Sequence, residues 1–482
     1  MNVIPPLSLT AGSFTRSSSA TYFNSSGLLA TAGTNVLRIN YNSTTLICAG
    51  VLLELSASTN VLLYCRDLSN VTNWTQTNIT RLKDQVGIDG SANTASSLLA
   101  TSSNATILQT VTLAASSRLF SAYIKRLVGS GTVSMTNDNG VTWTDITSQI
   151  NGSTYTRVTA TPQLVTNPVI GFKISTSGDK IAVDYCQNEQ DTLTMPILTT
   201  TVAVTRSPDV ITTGITSNVA EPYTGETVYA NYTATVGDIR IVTSVHRKYQ
   251  ALNSGAMTQS PVTDYTNWID IGPTNKWAMF DVLRNSDTVN TTDINVVIKP
   301  ASRVDSIALL QLTNVTRVCI IAQNPAGINY TNTYTGSGDM VIFDIPPYID
   351  NIISIVIQGT NPSCGACVVG KYTDIGTVQN SAKNDVLNFS TVDRDTFGNA
   401  NLIQRRNVPK TSQTILIESA KVGRAKVLRD TLNASPAIWA GLKTDVTSSY
   451  SAPLLILGIY KNFSITLDNE LSSTISLELE EI

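Results

Sequence analysis

The chain has 482 residues, 42% of them hydrophobic and 14% charged, with a formal net charge of −3. At ~100–200 residues per domain, this length predicts two to four domains and excludes a miniprotein. The hydrophobic content excludes general disorder. There is no basic block to neutralise phosphates, so nucleic acid is excluded as a partner, and no apolar run reaches the ~18 residues of a membrane helix.

Histidine and cysteine usage limits the possible metal and redox chemistry. His246 is the single histidine, so most His-based triads and His-ligated metals are excluded by count. Six scattered cysteines are too few for a disulfide scaffold. Cys364 and Cys367 have the spacing of a redox or zinc motif, but no second such pair or nearby histidine completes a site. We therefore expect buried packing cysteines, no metal and no cofactor.

Strand signals follow one another through the first part of the chain. The run LFSAYIKR at 119–126 alternates apolar and mixed residues, as a strand does when one of its faces is buried. TVSMTNDNGVTW at 132–143 predicts a hairpin, because Asn139 and Gly140 suit the two positive-φ positions of a type I′ turn. KIAVDY at 180–185 and the Thr-rich run 198–205 predict further strands. Strands at this spacing favour a β-sandwich or barrel over a parallel sheet.

After residue 206 a cluster of turn residues marks a boundary, and a second region of strands begins. The strand signals there are 228–235, 239–245, 295–298, 306–312, 315–323, 340–345, 352–358, 415–418 and 473–479. The best helix signal is 424–433, and it is weakly amphipathic. The sequence predicts an all-β protein of tandem antiparallel β-sandwich or jelly-roll modules, with little helix.

A series of short motifs gives the first part a resemblance to known proteins. They are FTRSSSATYFNSSG at 14–27, AGVLLE at 49–54, TNVLLY at 59–64, NWT at 73–75, SAYIKR at 121–126, VDYCQNE at 183–189 and AVTRSPDV at 203–210. In this order they resemble the amino-terminal and carbohydrate-binding-like jelly-roll regions of bacteriophage virion proteins. The resemblance implies an attachment segment at 1–64, a jelly roll at 65–205 and a carboxy-terminal virion module at 206–482, in one or two subdomains.

The second part resembles a carboxy-terminal module of phage tail and other virion proteins. The motifs are WIDIGPTNKWAMFD at 268–281, RVD at 303–305, DIPPY at 344–348, DTFGN at 395–399 and GIYKNFSI at 458–465. The resemblance implies a non-enzymatic structural protein on the exterior of the phage particle, in the tail or tail tip, which contacts other virion subunits and contributes to host attachment. A capsid-attached head fibre or decoration protein, and a tailspike-type glycan hydrolase, are the alternatives.

The resemblance to carbohydrate-binding-like jelly rolls makes the aromatic residues of the first module candidates for binding sugars. Sugar rings have apolar C–H faces that stack on exposed aromatic rings. Trp74, Tyr123, Trp143 and Tyr155 are therefore the candidate glycan-binding residues, and burial in the core is the alternative for each of them. Trp143 follows the predicted hairpin and is expected to be the most exposed. Asp89, before Gly90, fits either a calcium loop or a plain turn.

Acidic residues of the second module allow a weaker catalytic hypothesis. Asp270 and Asp281, near Trp268 and Trp277, would be the acid and base of a glycoside hydrolase, if their carboxyl groups had the required separation. Turn and cap roles are the usual ones for such residues, so they are favoured here. His246 is more simply a structural histidine than a general base.

The amino-terminal segment, residues 2–41, is rich in Ser, Thr and Gly and has few apolar residues from which to build a core of its own. Such a segment would order against a neighbouring subunit. On this reasoning we expect a homo-oligomer, with a trimer favoured, that works inside a larger assembly.

Overall fold

The computed structural model describes residues 1–223, 225–284, 286–441 and 452–482. The chain forms two compact units: a first unit, Phe14–Thr212, and a second unit made of Met1–Ser13 and Thr213–Ile482. The predicted all-β fold is confirmed, because strands build both units and α1 (Ser419–Thr431) is the α-helix of the described residues. No helix in these ranges is long and apolar enough to cross a bilayer.

Strands are numbered here in chain order. The first, β1 (Asn2–Ile4), belongs to the second unit, and the next group belongs to the first unit: β2 (Phe14–Thr15), β3 (Ala20–Phe23), β4 (Leu29–Ala32), β5 (Arg38–Tyr41), β6 (Cys48–Leu52), β7 (Ser58–Asn60), β8 (Thr75–Thr77), β9 (Ile79–Gln85), β10 (Ala95–Ala100), β11 (Ala105–Thr110), β12 (Ser116–Val128), β13 (Val133–Thr136), β14 (Thr144–Asp145), β15 (Thr156–Thr159), β16 (Gln163–Val165), β17 (Val169–Ile174), β18 (Lys180–Gln190), β19 (Val204–Arg206) and β20 (Val210–Ile211).

The first unit is an antiparallel jelly roll. Its pairings are nested: β10 with β18, β11 with β17, β12 with β15 and β16, and β13 with β14. These pairs alternate between two sheets, with strand orders β15-β12-β18-β10-β9 and β14-β13-β17-β11-β8. A long hairpin folded over in this way is the jelly-roll arrangement, so this prediction is confirmed.

The predicted Asn139-Gly140 turn is present, but in a longer connection than a two-residue hairpin. Asn139 and Gly140 have φ values of 64° and 76°, and Val141 N–H donates to Asp138 O at 3.3 Å. This is a type I′ turn. The connection runs from Thr136, the last residue of β13, to Thr144, the first residue of β14. The pair of these two strands nearest the turn is Met135↔Thr144.

Most of the amino-terminal segment lies in the first unit: residues 14–64 share a compact unit with the jelly roll, whereas residues 1–13 belong to the second unit. The Phe23 ring at the end of β3 meets the ring of Tyr123 edge-on, with centroids 6.2 Å apart. Consequently both faces of the middle of β12 are buried, not only the apolar face that the alternation predicted. The fold of this segment therefore gives no support to a neighbouring subunit that orders it.

The second unit contains the remaining strands: β21 (Gly214–Ser217), β22 (Thr227–Val228), β23 (Tyr232–Ala234), β24 (Ile239–Val242), β25 (Arg247–Ala251), β26 (Gly255–Met257), β27 (Trp268–Pro273), β28 (Thr288–Val289), β29 (Ile294–Lys299), β30 (Ser306–Asn324), β31 (Gly327–Thr335), β32 (Gly338–Ile342), β33 (Ile352–Cys364), β34 (Ala366–Gly370), β35 (Thr373–Asp374), β36 (Thr377–Val378), β37 (Lys383–Asn388), β38 (Thr391–Arg394), β39 (Ala400–Ile403), β40 (Asn407–Glu418), β41 (Ala437–Ala440), β42 (Leu455–Thr466) and β43 (Ser472–Glu481).

Two large sheets form the body of the second unit. One has the order β35-β1-β41-β42-β43-β40-β36, with β37 also on β40, and the other is built around β30 and β33. Ile4, Leu310, Val368, Ile438 and Leu457 form an apolar layer shared by strands of both sheets. The helix α1 covers part of the first sheet through Ala425 and Leu428. A smaller sheet, β22-β24-β25-β27, carries His246 at its β24–β25 connection.

Several predicted elements differ from those observed. The runs 306–312 and 315–323 are one strand, β30, which bends where Gln311 and Asn314 adopt positive φ. The bend moves the strand from β32 and β34 to β31 and β33. Of the strand predicted at 198–205, only Val204–Arg206 forms, because Thr199 and Thr200 instead accept hydrogen bonds from residues 64 and 65. The helix predicted at 424–433 begins earlier, at Ser419.

Candidate functional site

Two of the four aromatic residues predicted to bind glycan are buried in the first unit. Trp74 is 0% exposed, and its Nε1 donates to Tyr64 O at 3.4 Å. Tyr123 is buried between Phe23 and the guanidinium of Arg157, whose Cζ lies 5.6 Å from the ring centroid. Neither ring offers a face to a ligand, so the glycan hypothesis is corrected at Trp74 and Tyr123.

Trp143 and Tyr155 are half-buried and lie beside different sheets. Trp143 precedes β14 with Lys173 Nζ 4.4 Å from its ring centroid, and Tyr155 precedes β15 with Lys125 Nζ at 5.0 Å. A lysine over each ring already contributes a cation–π contact. The four aromatics therefore do not form one glycan platform.

Some of the motif residues meet in a buried charge cluster, which is formed by Arg16, Glu54, Arg206 and Asp209 together with Arg38. Asp209 contacts Arg16 Nη1 at 3.1 Å and Arg38 Nη2 at 2.6 Å. Glu54 contacts Arg38 Nη1 at 2.7 Å and Arg206 Nε at 3.2 Å. Buried charges must be paired to be tolerated. The cluster therefore gives these motif residues a common structural task, tying 14–54 to 203–210.

Asp89 forms an ion pair, which leaves the calcium-loop alternative without support. Its two carboxylate oxygens accept from Arg66 Nη1 and Nη2 at 2.8 and 2.9 Å. The same guanidinium donates to Asp184 at 2.7 and 3.0 Å and lies 4.4 Å from the ring centroid of Tyr185. Burial disfavours the ionised form of Asp89, but the bonds from Arg66 outweigh it and lower its pKa to about 2.

All six cysteines are buried, which agrees with the packing role that the sequence predicts for most of them. Burial raises the pKa of Cys65 to about 11 and that of Cys367 to about 12. A thiol with so high a pKa is a poor nucleophile and metal ligand. Within the described ranges, no group of three or more His, Cys, Asp or Glu side chains is placed to hold a metal ion.

A groove in the second unit brings together residues that the sequence marked separately. We call it the His246 groove; its cavity measures about 390 Å³. Leu9 and Pro273 form part of its wall, and the rings of His246, Trp277 and Phe280 form its aromatic side. His246 and Trp277 stack with centroids 4.5 Å apart and an interplanar angle of 29°. The volume lies within the ~300–1,000 Å³ of small-molecule sites.

The buried side of the groove is organised by Glu221. Its carboxylate accepts from Trp277 Nε1 at 3.1 Å and from the Thr274 hydroxyl, and its Oε1 lies 2.8 Å from His246 Nδ1. Because a carboxylate only accepts, Nδ1 carries the proton, and Nε2 is the ring nitrogen that Glu221 does not contact. Glu221 therefore fixes the orientation of both stacked rings.

Polar side chains line the open side. Arg247 Nε contacts Asp270 Oδ2 at 2.8 Å, and the two side chains are 40% and 39% exposed. Asp281 accepts from Ser286 Oγ at 2.6 Å and from Leu283 N–H at 2.9 Å, and burial raises its pKa. Of the lining residues that the structure describes, Asp281 is the one carboxylic acid. A pair of carboxylates facing one bound sugar is thus not formed by Asp270 and Asp281.

An aromatic and apolar lining with a polar rim can hold a small polar molecule that has an apolar face. Sequence reasoning named His246, Trp277 and Asp281 individually. It missed Glu221 and Leu9, which come from distant turns of the chain without a local motif.

Comparisons with known proteins give little help. No protein-family model and no curated protein matches the chain. One similar solved structure is allantoicase, with 7% identity, coverage of 65% of this chain and 93% of that chain, and a TM-score of 0.17. Another is the M60 catalytic domain with two CBM51 domains from Clostridium perfringens ZmpB, with 10% identity, coverage of 76% and 43%, and a TM-score of 0.15.

A third is a family GH78 rhamnosidase from Bacillus sp. GL1, with 10% identity, coverage of 78% and 36%, and a TM-score of 0.14. The chain spans less than half the length of the second and third structures. With TM-scores this low, function must be argued from the residues of the chain itself.

Proposed function

We propose that this chain is a non-enzymatic structural protein of a bacteriophage virion, on the exterior of the tail or tail tip, and that it contributes to attachment to a host-surface glycan. The virion context rests on the order of the sequence motifs. Residues from three of those motifs meet in the buried charge cluster: Arg16 from 14–27, Glu54 from 49–54, and Arg206 and Asp209 from 203–210.

The observation that carries glycan attachment is the stacked His246–Trp277 pair in the His246 groove. A sugar ring can place its C–H face against the aromatic side. Its hydroxyls can then reach His246 Nε2, the Arg247 guanidinium or the Asp281 carboxyl. This assigns the glycan contact to the second unit, in place of the aromatics of the first.

The contact is expected to be weak in one copy. An aromatic contact is worth ~0.5–1.5 kcal/mol, or roughly 2- to 13-fold in Kd. Several copies displayed on one particle would raise the avidity far above this value. The proposal therefore requires multivalent display, which a virion supplies.

The test compares binding of the full chain, and of intact phage, to host-envelope polysaccharide. Trp277→Ala should weaken binding by at least the roughly 2- to 13-fold of one aromatic contact, whereas Trp143→Ala and Tyr155→Phe should leave it unchanged. All variants are compared at equal folded fraction, checked by thermal melting. Loss of binding in the first-unit variants alone would move the contact back to that unit.

Absence of glycan binding by both protein and phage would remove the attachment role and leave a structural subunit. Release of new reducing ends from the polysaccharide, abolished by Asp281→Asn, would replace the proposal with the hydrolase alternative. Labelled antibody on virions distinguishes tail from head, and therefore separates the tail protein from the head-fibre alternative.

A further inference from the structure

A two-stranded hairpin extends from the second unit without cover from the described residues of its own chain. We call residues 386–409 the exposed hairpin. At its base β37 pairs with β40, and beyond that β38 pairs with β39. The ladder between β40 and β43 begins only at Lys410↔Glu480, so the base of the hairpin pairs only with itself, and β38 and β39 lie outside the large sheet. Every residue from 391 to 407 is exposed.

Such an element is poorly stabilised in isolation. A single two-stranded hairpin is marginal in water unless a third strand or another surface covers it. This one also exposes large apolar side chains, with Leu402 71% and Phe397 89% exposed. Exposed apolar side chains gathered on one element mark an interaction surface. The hairpin therefore requires a partner surface.

The register assigns its side chains to two faces. Directly opposite residues of antiparallel strands share a face, as do alternate residues of one strand. Val392↔Leu402 and Arg394↔Ala400 thus form one face. We call it the Arg394 face.

Thr391↔Ile403 and Asp393↔Asn401 form the other, which we call the Asp393 face. Each face has an apolar part and one charge, and the two charges are opposite. Neither Arg394 nor Asp393 forms an ion pair with the described part of the chain. The Arg394 face of one hairpin is consequently complementary to the Asp393 face of an identical one.

We propose that the exposed hairpin binds a second copy of this chain, with the Arg394 face of one copy packed on the Asp393 face of the next. A contact between two different faces of the same element is heterologous, so it repeats from copy to copy, as a ring where the rotation between copies closes and as an open filament where it does not. The smallest such ring has three members. The proposal adopts this smallest closed ring, a trimer of chains joined by their hairpins.

The test is the molar mass of the full chain, measured by light scattering and sedimentation equilibrium. We expect a trimer for the parent. Arg394→Asp makes both faces acidic and Asp393→Arg makes both basic, so each should raise the dissociation constant at least tenfold, because like charges across an interface are strongly unfavourable. The double variant Asp393→Arg, Arg394→Asp exchanges the charges of the two faces and should restore the trimer.

Glu470→Arg is the matched control, since it reverses an exposed charge elsewhere in the second unit and should leave the trimer intact. A mixture of the two single variants should form mixed pairs when neither variant associates alone, because an acidic face of one then meets a basic face of the other. A closed trimer should not return in this mixture, because a ring of three would keep one like-charge contact. A monomeric parent at micromolar concentration, or single variants that remain trimeric, would overturn the proposal. Unchanged melting temperatures of dilute variants show that the substitutions act on association and not on folding.

Discussion

Asp209 Oδ2 lies 2.6 Å from Arg38 Nη2, and neither side chain has any exposed surface. The second oxygen of Asp209 contacts Arg16, so one carboxylate bridges two guanidiniums contributed by the first forty residues of the chain. In the low-dielectric interior these charges are tolerated only in each other's presence. Removing one partner leaves the others without compensation.

We therefore expect Asp209→Asn to lower the free energy of unfolding of the first unit by about 3–5 kcal/mol. Asp270→Asn is the matched control, because its ion pair with Arg247 is exposed and should contribute less than about 1 kcal/mol. Urea unfolding of the full chain, followed by circular dichroism, measures both. Equal losses in the two variants would show that burial of the pair does not determine its contribution.

Acid should destabilise the first unit through Asp89. Its folded pKa, about 2, is below the unfolded value near 3.8. A carboxyl with a depressed folded pKa contributes stability above the unfolded pKa and loses it as pH falls through the folded one. The urea midpoint of the parent should therefore fall between about pH 4 and pH 2, and Asp89→Asn should remove part of that slope. If Asp89→Asn kept the parent's full dependence of the urea midpoint on pH, Asp89 would not be a source of the acid destabilisation.

Trp74→Ala should affect stability and not adsorption. The ring lies wholly inside the first core, and truncating a buried tryptophan costs about 3–5 kcal/mol through lost contacts and the remaining cavity. Trp143→Ala, at a half-buried site, should cost clearly less. Thermal melting compares the two. Weaker phage adsorption by a Trp74→Ala protein that melts like the parent would restore Trp74 as a ligand contact.

The thiols should be unreactive in the folded chain. All six are buried, and burial raises the pKa of Cys186 and Cys364 far above the usual value. We expect a chromogenic aromatic disulfide to label none of them near neutral pH until urea is added, because the thiolate is the reacting form. Chelator or reductant should leave the melting temperature unchanged. A large loss of melting temperature with either would contradict this.

Features decided by neighbouring residues were predictable from the sequence. The Asn139-Gly140 turn was found because its positive φ angles follow from local side-chain chemistry. The alternating run in β12 was identified for the same reason, and the spacing of such runs indicated a sandwich.

Features decided by distant contacts were not predictable. The alternation in β12 cannot show that Phe23, a hundred residues earlier, covers Tyr123. The candidate site has the same limit. Sequence reasoning singled out His246, but Glu221, which holds it, lies 25 residues away in a turn with no motif. The buried charge cluster also joins residues up to 193 positions apart.

The position of β1 has a consequence for synthesis of the chain. Asn2 pairs with Asp374 on one side and Ala440 on the other, so β1 is an interior strand of a sheet whose other strands lie far later in the sequence. At a synthesis rate of ~5–20 residues per second, roughly 20–90 s pass between synthesis of β1 and synthesis of its partner strands β35 and β41. The first unit is complete in the chain well before then, and β2 and β20 close it at its two ends. The first unit can therefore fold during synthesis before the strands that pair with β1 have been made.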